Sequence, residues 1–329
     1  MTASPIIRSR ISGAADPNAL LSDLLGPGFA EYRRRWDQAE AGRRPDTPLH
    51  LDVDVTTACN FHCPMCPAGN SGHIFPRFQK GRYLNHDLYR QALAEASGFG
   101  LPSIRLGMTG EPLLIPDITD WVTEARAAGV LDVSLITNGR LLKPEMSRRL
   151  IAAGLTRLMI SVDAGSPQVY AQTRPGGDWN LLLANIDAFL SLRREMKSLT
   201  PLLRISFVEM KANQGDRDRF RETFEPRADY LSFQRYLNIL GDAETDFRPD
   251  DKAPESTRTG FCAEPLTRLA LHADGGLFPC CSDFGRLRPL GNLETGGLLA
   301  TWRSAEALDL TGPQARGLDP CRRCLAANQ

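Results

Sequence analysis

Cys59, Cys63 and Cys66 stand in the run T-A-C-N-F-H-C-P-M-C-P, a C-x3-C-x2-C spacing that follows an apolar stretch ending Val53-Asp54-Val55-Thr56. Thiolates this close can hold three irons of a cubane cluster. Such clusters ordinarily take four cysteines, and the other five of this chain's eight all lie beyond residue 260. One iron is then left open to a small ligand, which points to catalysis rather than electron carriage. The competing reading is part of a structural zinc site, which wants four closed ligands.

The later cysteines are Cys262, Cys280, Cys281, Cys321 and Cys324. Their order, C-x17-C…C-x2-C, makes a four-thiolate site of Cys262, Cys280, Cys321 and Cys324, read either as an auxiliary cluster or as a zinc ribbon. The run Asp274-Gly275-Gly276-Leu277-Phe278-Pro279-Cys280-Cys281 predicts a hairpin presenting a cysteine just past its turn. Cys281 is left over. It is either a small buried hydrophobe or a thiol that returns a hydrogen atom to a substrate radical.

The elements that must position these groups are legible as periodicity. From residue 51, short β-branched or apolar runs alternate with amphipathic stretches. Strands are predicted at Leu51–Thr56, Ile104–Met108, Asp132–Thr137, Arg157–Val162, Leu203–Glu209 and Tyr230–Tyr236. Helices are predicted between them at His86–Ser97, Pro116–Ala128, Pro144–Ala153, Asp178–Lys197 and Gly215–Phe224. Repeated βα units imply an α/β fold with a parallel sheet and helices outside it, and such folds gather their chemistry at the carboxyl ends of the strands. Residues 1–50 read as an N-terminal helical extension, 51–240 as the core, 241–260 as a polar linker carrying Pro249 and Pro254, and 261–329 as a small cysteine-rich module.

Composition narrows the class. With 39 Lys and Arg against 39 Asp and Glu, the net charge is zero and no global field favours nucleic acid or an anionic membrane. No stretch approaches the roughly 20 apolar residues of a membrane span, and the first residues lack the regions of a signal peptide. A cytoplasmic, oxygen-sensitive protein is expected, its cysteines acting as metal ligands rather than disulfides.

The triplet resembles that of the radical S-adenosylmethionine (SAM) superfamily, and further motifs follow in that family's order. Gly107-Met108-Thr109-Gly110-Glu111-Pro112 resembles the glycine-rich motif after the second strand, and Thr137-Asn138-Gly139, Ser161-Val162-Asp163 and Tyr170 to Arg174 match later strand ends. Met65 departs from the family, many members having an aromatic residue there. The resemblance implies a partial (β/α)6 barrel with a [4Fe-4S] cluster on Cys59, Cys63 and Cys66 and SAM chelated at the open iron. Gly110 and Glu111 would then meet the methionine amino group, and Ser161 and Arg174 the ribose or carboxylate. The C-terminal cysteines, with Gly291-Asn292-Leu293 and Thr301-Trp302, resemble the SPASM/twitch extension, which implies one auxiliary [4Fe-4S] cluster.

By that resemblance the activity is hydrogen abstraction by a 5′-deoxyadenosyl radical from a small polyol, sugar or aminoglycoside-like substrate, as in aminoglycoside-tailoring epimerases and dehydrogenases. Epimerisation would use Cys281 as hydrogen donor; alcohol dehydrogenation would use the auxiliary cluster as electron acceptor. A peptide-modifying enzyme is the alternative. A flavodoxin or ferredoxin-type protein would supply electrons. His62, His73, Arg77, Asp163, Gln234, Arg235, Tyr236 and Asp283 are further polar candidates, Asp283 and Arg235 foremost.

Overall fold

A computed structural model describes residues 10–12, 16–69, 78–236, 238, 246–249, 262–283, 285–311, 317–318 and 321. His73, Arg77, Cys324 and most of the 241–260 stretch fall outside them. Ten strands form one sheet: β1 (Arg10–Ser12), β2 (His50–Val53), β3 (Ser103–Leu106), β4 (Asp132–Thr137), β5 (Arg157–Ser161), β6 (Leu202–Glu209), β7 (Tyr230–Arg235), β8 (Arg268–Leu271), β9 (Gly276–Phe278) and β10 (Gly291–Asn292). The helices are α1 (Pro17–Leu25), α2 (Pro27–Glu40), α3 (His86–Phe99), α4 (Ile118–Ala127), α5 (Pro144–Ala152), α6 (Pro167–Thr173), α7 (Trp179–Glu195), α8 (Arg217–Phe224) and α9 (Glu264–Thr267), followed by α10 (Leu293–Gly296), α11 (Leu298–Trp302) and α12 (Ala305–Asp309).

Strand order is β1-β7-β6-β5-β4-β3-β2-β8-β9-β10. Strands β2 to β7 run parallel to their neighbours, giving the six-stranded unclosed barrel expected from the βα alternation. Expected and observed bounds differ by at most three residues, because helix and strand ends are fixed by caps and turns rather than by periodicity. Helix α6 was not foreseen from the apolar pattern. Its signal is local: Pro167 at the first turn and Ser166 accepting from Val169 N.

The C-terminal module shares the barrel sheet: β8 pairs in parallel with β2, His50 opposite Arg268. The predicted hairpin is β8–β9, but Cys280 and Cys281 follow its second strand rather than its turn. The turn is closed at His272 and Gly275, which leaves β9 to carry the chain back before the cysteines.

The core sits between sheet and helices. Leu51, Val53, Ile104, Leu106, Val133, Leu135, Leu158, Ile160, Leu203, Ile205 and Phe207 alternate along their strands and are at most 2% exposed. That alternation turns His50, Asp52, Arg105, Ser134, Arg157, Arg204, Ser206 and Ser232 to the other face. In an ordinary barrel the inner face is filled by branched apolar residues; here it is polar and charged. Helices α1 and α2 plug the end at the strand amino termini, where Leu21, Phe29, Tyr32 and Leu49 pack with Leu202, Tyr230 and Leu266. Arg157 ties the plug down, its Nε 3.0 Å from Asp132 Oδ2 and its Nη2 donating to Asn18 Oδ1 at 2.8 Å.

Candidate active site and cluster sites

The three early cysteines lie on the loop that leaves the carboxyl end of β2. That loop folds tightly on itself, Cys66 N donating to Cys63 O at 3.1 Å and Gly69 N to Cys66 O at 3.0 Å. A Cβ at Gly69 would come within 2.3 Å of Cys63 O, so only glycine closes the turn. Gly110 plays the same part across the site: a Cβ there would lie 2.2 Å from Thr56 O, and Glu111 N donates to Ala58 O at 2.8 Å. The Gly-Glu pair therefore clamps the end of β3 onto the cysteine loop.

Each sulfur meets a polar group from another strand end. Asn138 Nδ2 points at Cys59 Sγ at 4.0 Å while donating to Asn60 Oδ1 at 2.7 Å. Cys66 Sγ faces the Thr109 carbonyl at 3.8 Å, and Arg174 Nη1 lies 3.8 Å from Cys63 Sγ. Arg174 Nη2 pairs with Asp163, itself wholly buried. Burial raises all three thiols, Cys66 up to about 11 with the neighbouring Cys63 adding to it. Such thiols ionise on metal binding. Among the described residues no three His, Cys, Asp or Glu side chains close on a single point to hold one ion.

Of the residues expected to touch SAM, Arg174 is beside the cysteines and Ser161 ends β5. Glu111 is turned inward, its carboxylate accepting from Leu113 N at 3.0 Å, Thr137 Oγ1 at 2.7 Å and Asn138 N at 2.8 Å. Its side chain joins β3 to β4. Asp283, ranked among the substrate candidates, instead accepts from Leu287 N and Arg288 N within its own loop.

Burial drives the Cys280 thiol well above the ordinary value, with the neighbouring Cys281 and then Cys262 and Cys321 adding to it. Cys281 meets the lumen network. Its thiol is hydrogen-bonded by Arg105 and lies near Asp52 and Arg268, all lumen-facing residues. Around it, Arg105 Nη2 meets Asp52 Oδ1 at 2.6 Å, Arg268 Nη1 meets Asp52 Oδ2 at 3.4 Å, and Arg268 Nε meets Glu264 Oε2 at 2.7 Å. This lumen network was missed from the sequence. Its signal was polar residues at every second position of parallel strands, which are otherwise near-continuous apolar runs.

Residues 53–210 match the radical SAM superfamily, and 262–325 match an iron–sulfur cluster-binding domain, SPASM. The chain is 30% identical over 280 residues to GTP 3′,8-cyclase of Rhodopirellula baltica, covering 73% of this chain and 75% of that protein. The chain belongs to the radical SAM superfamily. It is also 27% identical over 257 residues to GTP 3′,8-cyclase of Limosilactobacillus fermentum, with 73% and 75% covered. These relatives belong to a different radical SAM family from the aminoglycoside-tailoring enzymes that the motifs resemble.

Two solved radical SAM-like folds are similar. One is BtrN in complex with AdoMet and 2-DOIA, with TM-score 0.54, 16% identity, and 84% and 92% of the two chains covered. The other is Streptococcus suis SuiB bound to precursor peptide SuiA, with TM-score 0.64, 14% identity, and 93% and 72% covered. At these identities the likeness is one of fold. A SAM-binding [4Fe-4S] cluster, SAM and an auxiliary iron–sulfur cluster are the cofactors of this radical SAM–SPASM protein. Among the described residues, no helix is long and apolar enough to cross a membrane.

Proposed function

We propose that this radical SAM enzyme inverts a carbon centre of a small polyhydroxylated substrate, with Cys281 returning the hydrogen atom. The observation that carries the reading is the hydrogen bond between Arg105 and the Cys281 thiol, with Asp52 beside it, both partners being residues of the barrel lumen. Cys59, Cys63 and Cys66 would hold the SAM-binding cluster. Cys262, Cys280, Cys321 and Cys324 would hold the auxiliary one. SAM, when bound, supplies a 5′-deoxyadenosyl radical able to take one hydrogen atom from a substrate C–H bond.

Burial, with the Asp52 carboxylate next in effect, keeps the Cys281 thiol protonated at neutral pH. A hydrogen-atom donor needs that S–H. As it breaks, a C–H bond forms at the substrate radical and the sulfur is left one electron short. One electron from a flavodoxin or ferredoxin-type reductant and one proton restore it, so substrate and product share a redox level. Arg105 and Arg268 hold the thiol's neighbour Asp52 in place and fix the direction of delivery.

Dehydrogenation is the second reading, favoured by the charge influence of Cys262 and Cys321 on Cys280, next to which an auxiliary cluster would place an electron acceptor near the lumen. The two are separated by mass. Epimerisation in deuterium oxide adds one deuterium to product and is blocked by Cys281→Ala; dehydrogenation removes two hydrogens and is unaffected by it. An unlabelled product from wild type would sink the donor role. GTP, named as the substrate of the curated relatives, belongs in the same assay as a third candidate.

A further inference from the structure

The lumen holds a guanidinium that none of the described carboxylates neutralises. On β6, Leu203, Ile205 and Phe207 are fully buried under the helices, which turns Arg204 inward, opposite Met159 on β5 and Tyr230 on β7. Its Nε is shut off from solvent and has no hydrogen-bond partner, as is also true of Arg105 Nε and Arg268 Nε, but no described carboxylate pairs with Arg204. The other described lumen arginines each have one: Arg105 with Asp52 at 2.6 Å, Arg157 with Asp132 at 3.0 Å, and Arg268 with Glu264 at 2.7 Å. Four guanidiniums thus share three carboxylates. The groups whose charge Arg204 feels are Tyr230, Arg105 and Arg157, with no acid among them.

Asp54 also points into the barrel, but it is committed elsewhere, accepting from Thr109 N at 3.1 Å and Thr109 Oγ1 at 2.7 Å. His50 adds no counter-charge, since its ring bonds Ser103 Oγ at 2.8 Å and Asp52 Oδ1 at 2.9 Å. Arg204 is only partly exposed, and a guanidinium with one donor shut off from solvent and unbonded costs stability. Groups of this kind persist where a ligand completes them, at the expense of the free protein.

We propose that Arg204 anchors an anionic group of the substrate, a carboxylate or a phosphate, inside the barrel. A planar guanidinium with free donors takes either through two parallel hydrogen bonds. The substrate is then an acid or phosphate ester of a polyol or sugar, and a polyamine such as an aminoglycoside is a poor fit for a lumen with surplus positive charge. The site rests on the reading of the lumen as the substrate chamber. It also gives that chamber a polarity: the acid at Arg204 on β6, the reacting carbon toward Cys281 and the cysteine loop.

The test compares anaerobically reconstituted wild type with Arg204→Leu and Arg204→Lys, using inorganic phosphate and acetate as probes against chloride at matched ionic strength. Without probe, Arg204→Leu should raise Tm by about 2–4 °C, because a shielded, unbonded guanidinium donor has been removed from among like charges. Phosphate, acetate or both should raise the Tm of wild type, partly that of Arg204→Lys, and not that of Arg204→Leu. A phosphate-only response assigns a phosphate ester and an acetate-only response a carboxylic acid. The inference is overturned by an anion response retained in Arg204→Leu, by no response in wild type, or by an Arg204→Leu protein that melts lower or does not fold. Formation of 5′-deoxyadenosine by reduced wild type, measured in parallel, keeps a failure here distinct from a failure of the radical SAM reading.

Discussion

Asp52 on β2 and Arg105 on β3 meet through an Oδ1–Nη2 contact of 2.6 Å, with the carboxylate wholly buried in the barrel lumen. Burial opposes ionisation of Asp52, but Arg105, His50 and Arg268 outweigh it and hold the carboxyl far below its ordinary 3.8. The pair is therefore ionised throughout the physiological range. It also sets the position of Cys281, which Arg105 hydrogen-bonds.

Asp52→Asn should cost about 3–5 kcal/mol, because Arg105 and Arg268 lose their shared counter-charge in a buried site. Denaturant unfolding of the anaerobic protein reads this directly. A folded-state value held below the unfolded one stabilises above the ordinary carboxylate range and fades as pH falls toward the folded value. Wild type should thus lose its advantage over Asp52→Asn in acid. An equal loss at pH 3 and pH 7 would show that Asp52 acts through shape alone.

Asp54 has the opposite sign. Burial pushes its carboxyl up to about 6, against the hydrogen bonds from Thr109. The folded protein then holds this proton more tightly than the unfolded chain, so the contribution to stability is present at low pH and is lost as pH rises through 6. The shift of about two units amounts to about 3 kcal/mol. Asp54→Asn should be little different from wild type near pH 4 and more stable than it at pH 8. A difference constant with pH would show that Asp54 is already ionised in acid.

Iron analysis separates the cysteines by role. Wild type should carry about eight irons per chain, and about four should remain both in Cys280→Ala and in the variant with Cys59, Cys63 and Cys66 all changed to Ala. Cys281→Ala should keep about eight, since its thiol is engaged by Arg105 rather than needed as a fourth ligand. Loss of iron from Cys281→Ala would make it a ligand and end its candidacy as a hydrogen donor.

Arg174→Lys tests the arm between Asp163 and Cys63. Lysine keeps one charge for Asp163 but cannot span to the sulfur with a second planar donor. Formation of 5′-deoxyadenosine by the reduced protein should fall about tenfold or more, an electrostatic loss of the usual size for one such donor. Iron content should be unchanged. Full activity would remove Arg174 from the SAM site.

Much of the fold was legible because its determinants are local. The C-x3-C-x2-C spacing, the six βα units from Leu51 to Arg235 and the hairpin before Cys280 each follow from residue type and period over a short window. What escaped was directional or distant. Cys281 was left over by its spacing, and only the fold brings Arg105 and Asp52 to its thiol. The role of Glu111 likewise emerged only once β3 and β4 lay side by side, bringing Thr137 and Asn138 to its carboxylate.

The sequence by itself determined the chemistry, since three thiols and a fourth open iron need only a loop of the right length after a strand. Tertiary structure alone decided the chamber in which that chemistry would act. Arg268 reaches Asp52 across 216 residues of chain, and Arg204 is left without a described acid because of where its neighbours fall around the barrel. Charge balance in a lumen is a sum over strands that periodicity treats one at a time, so it exists only once the sheet has curved and brought them together.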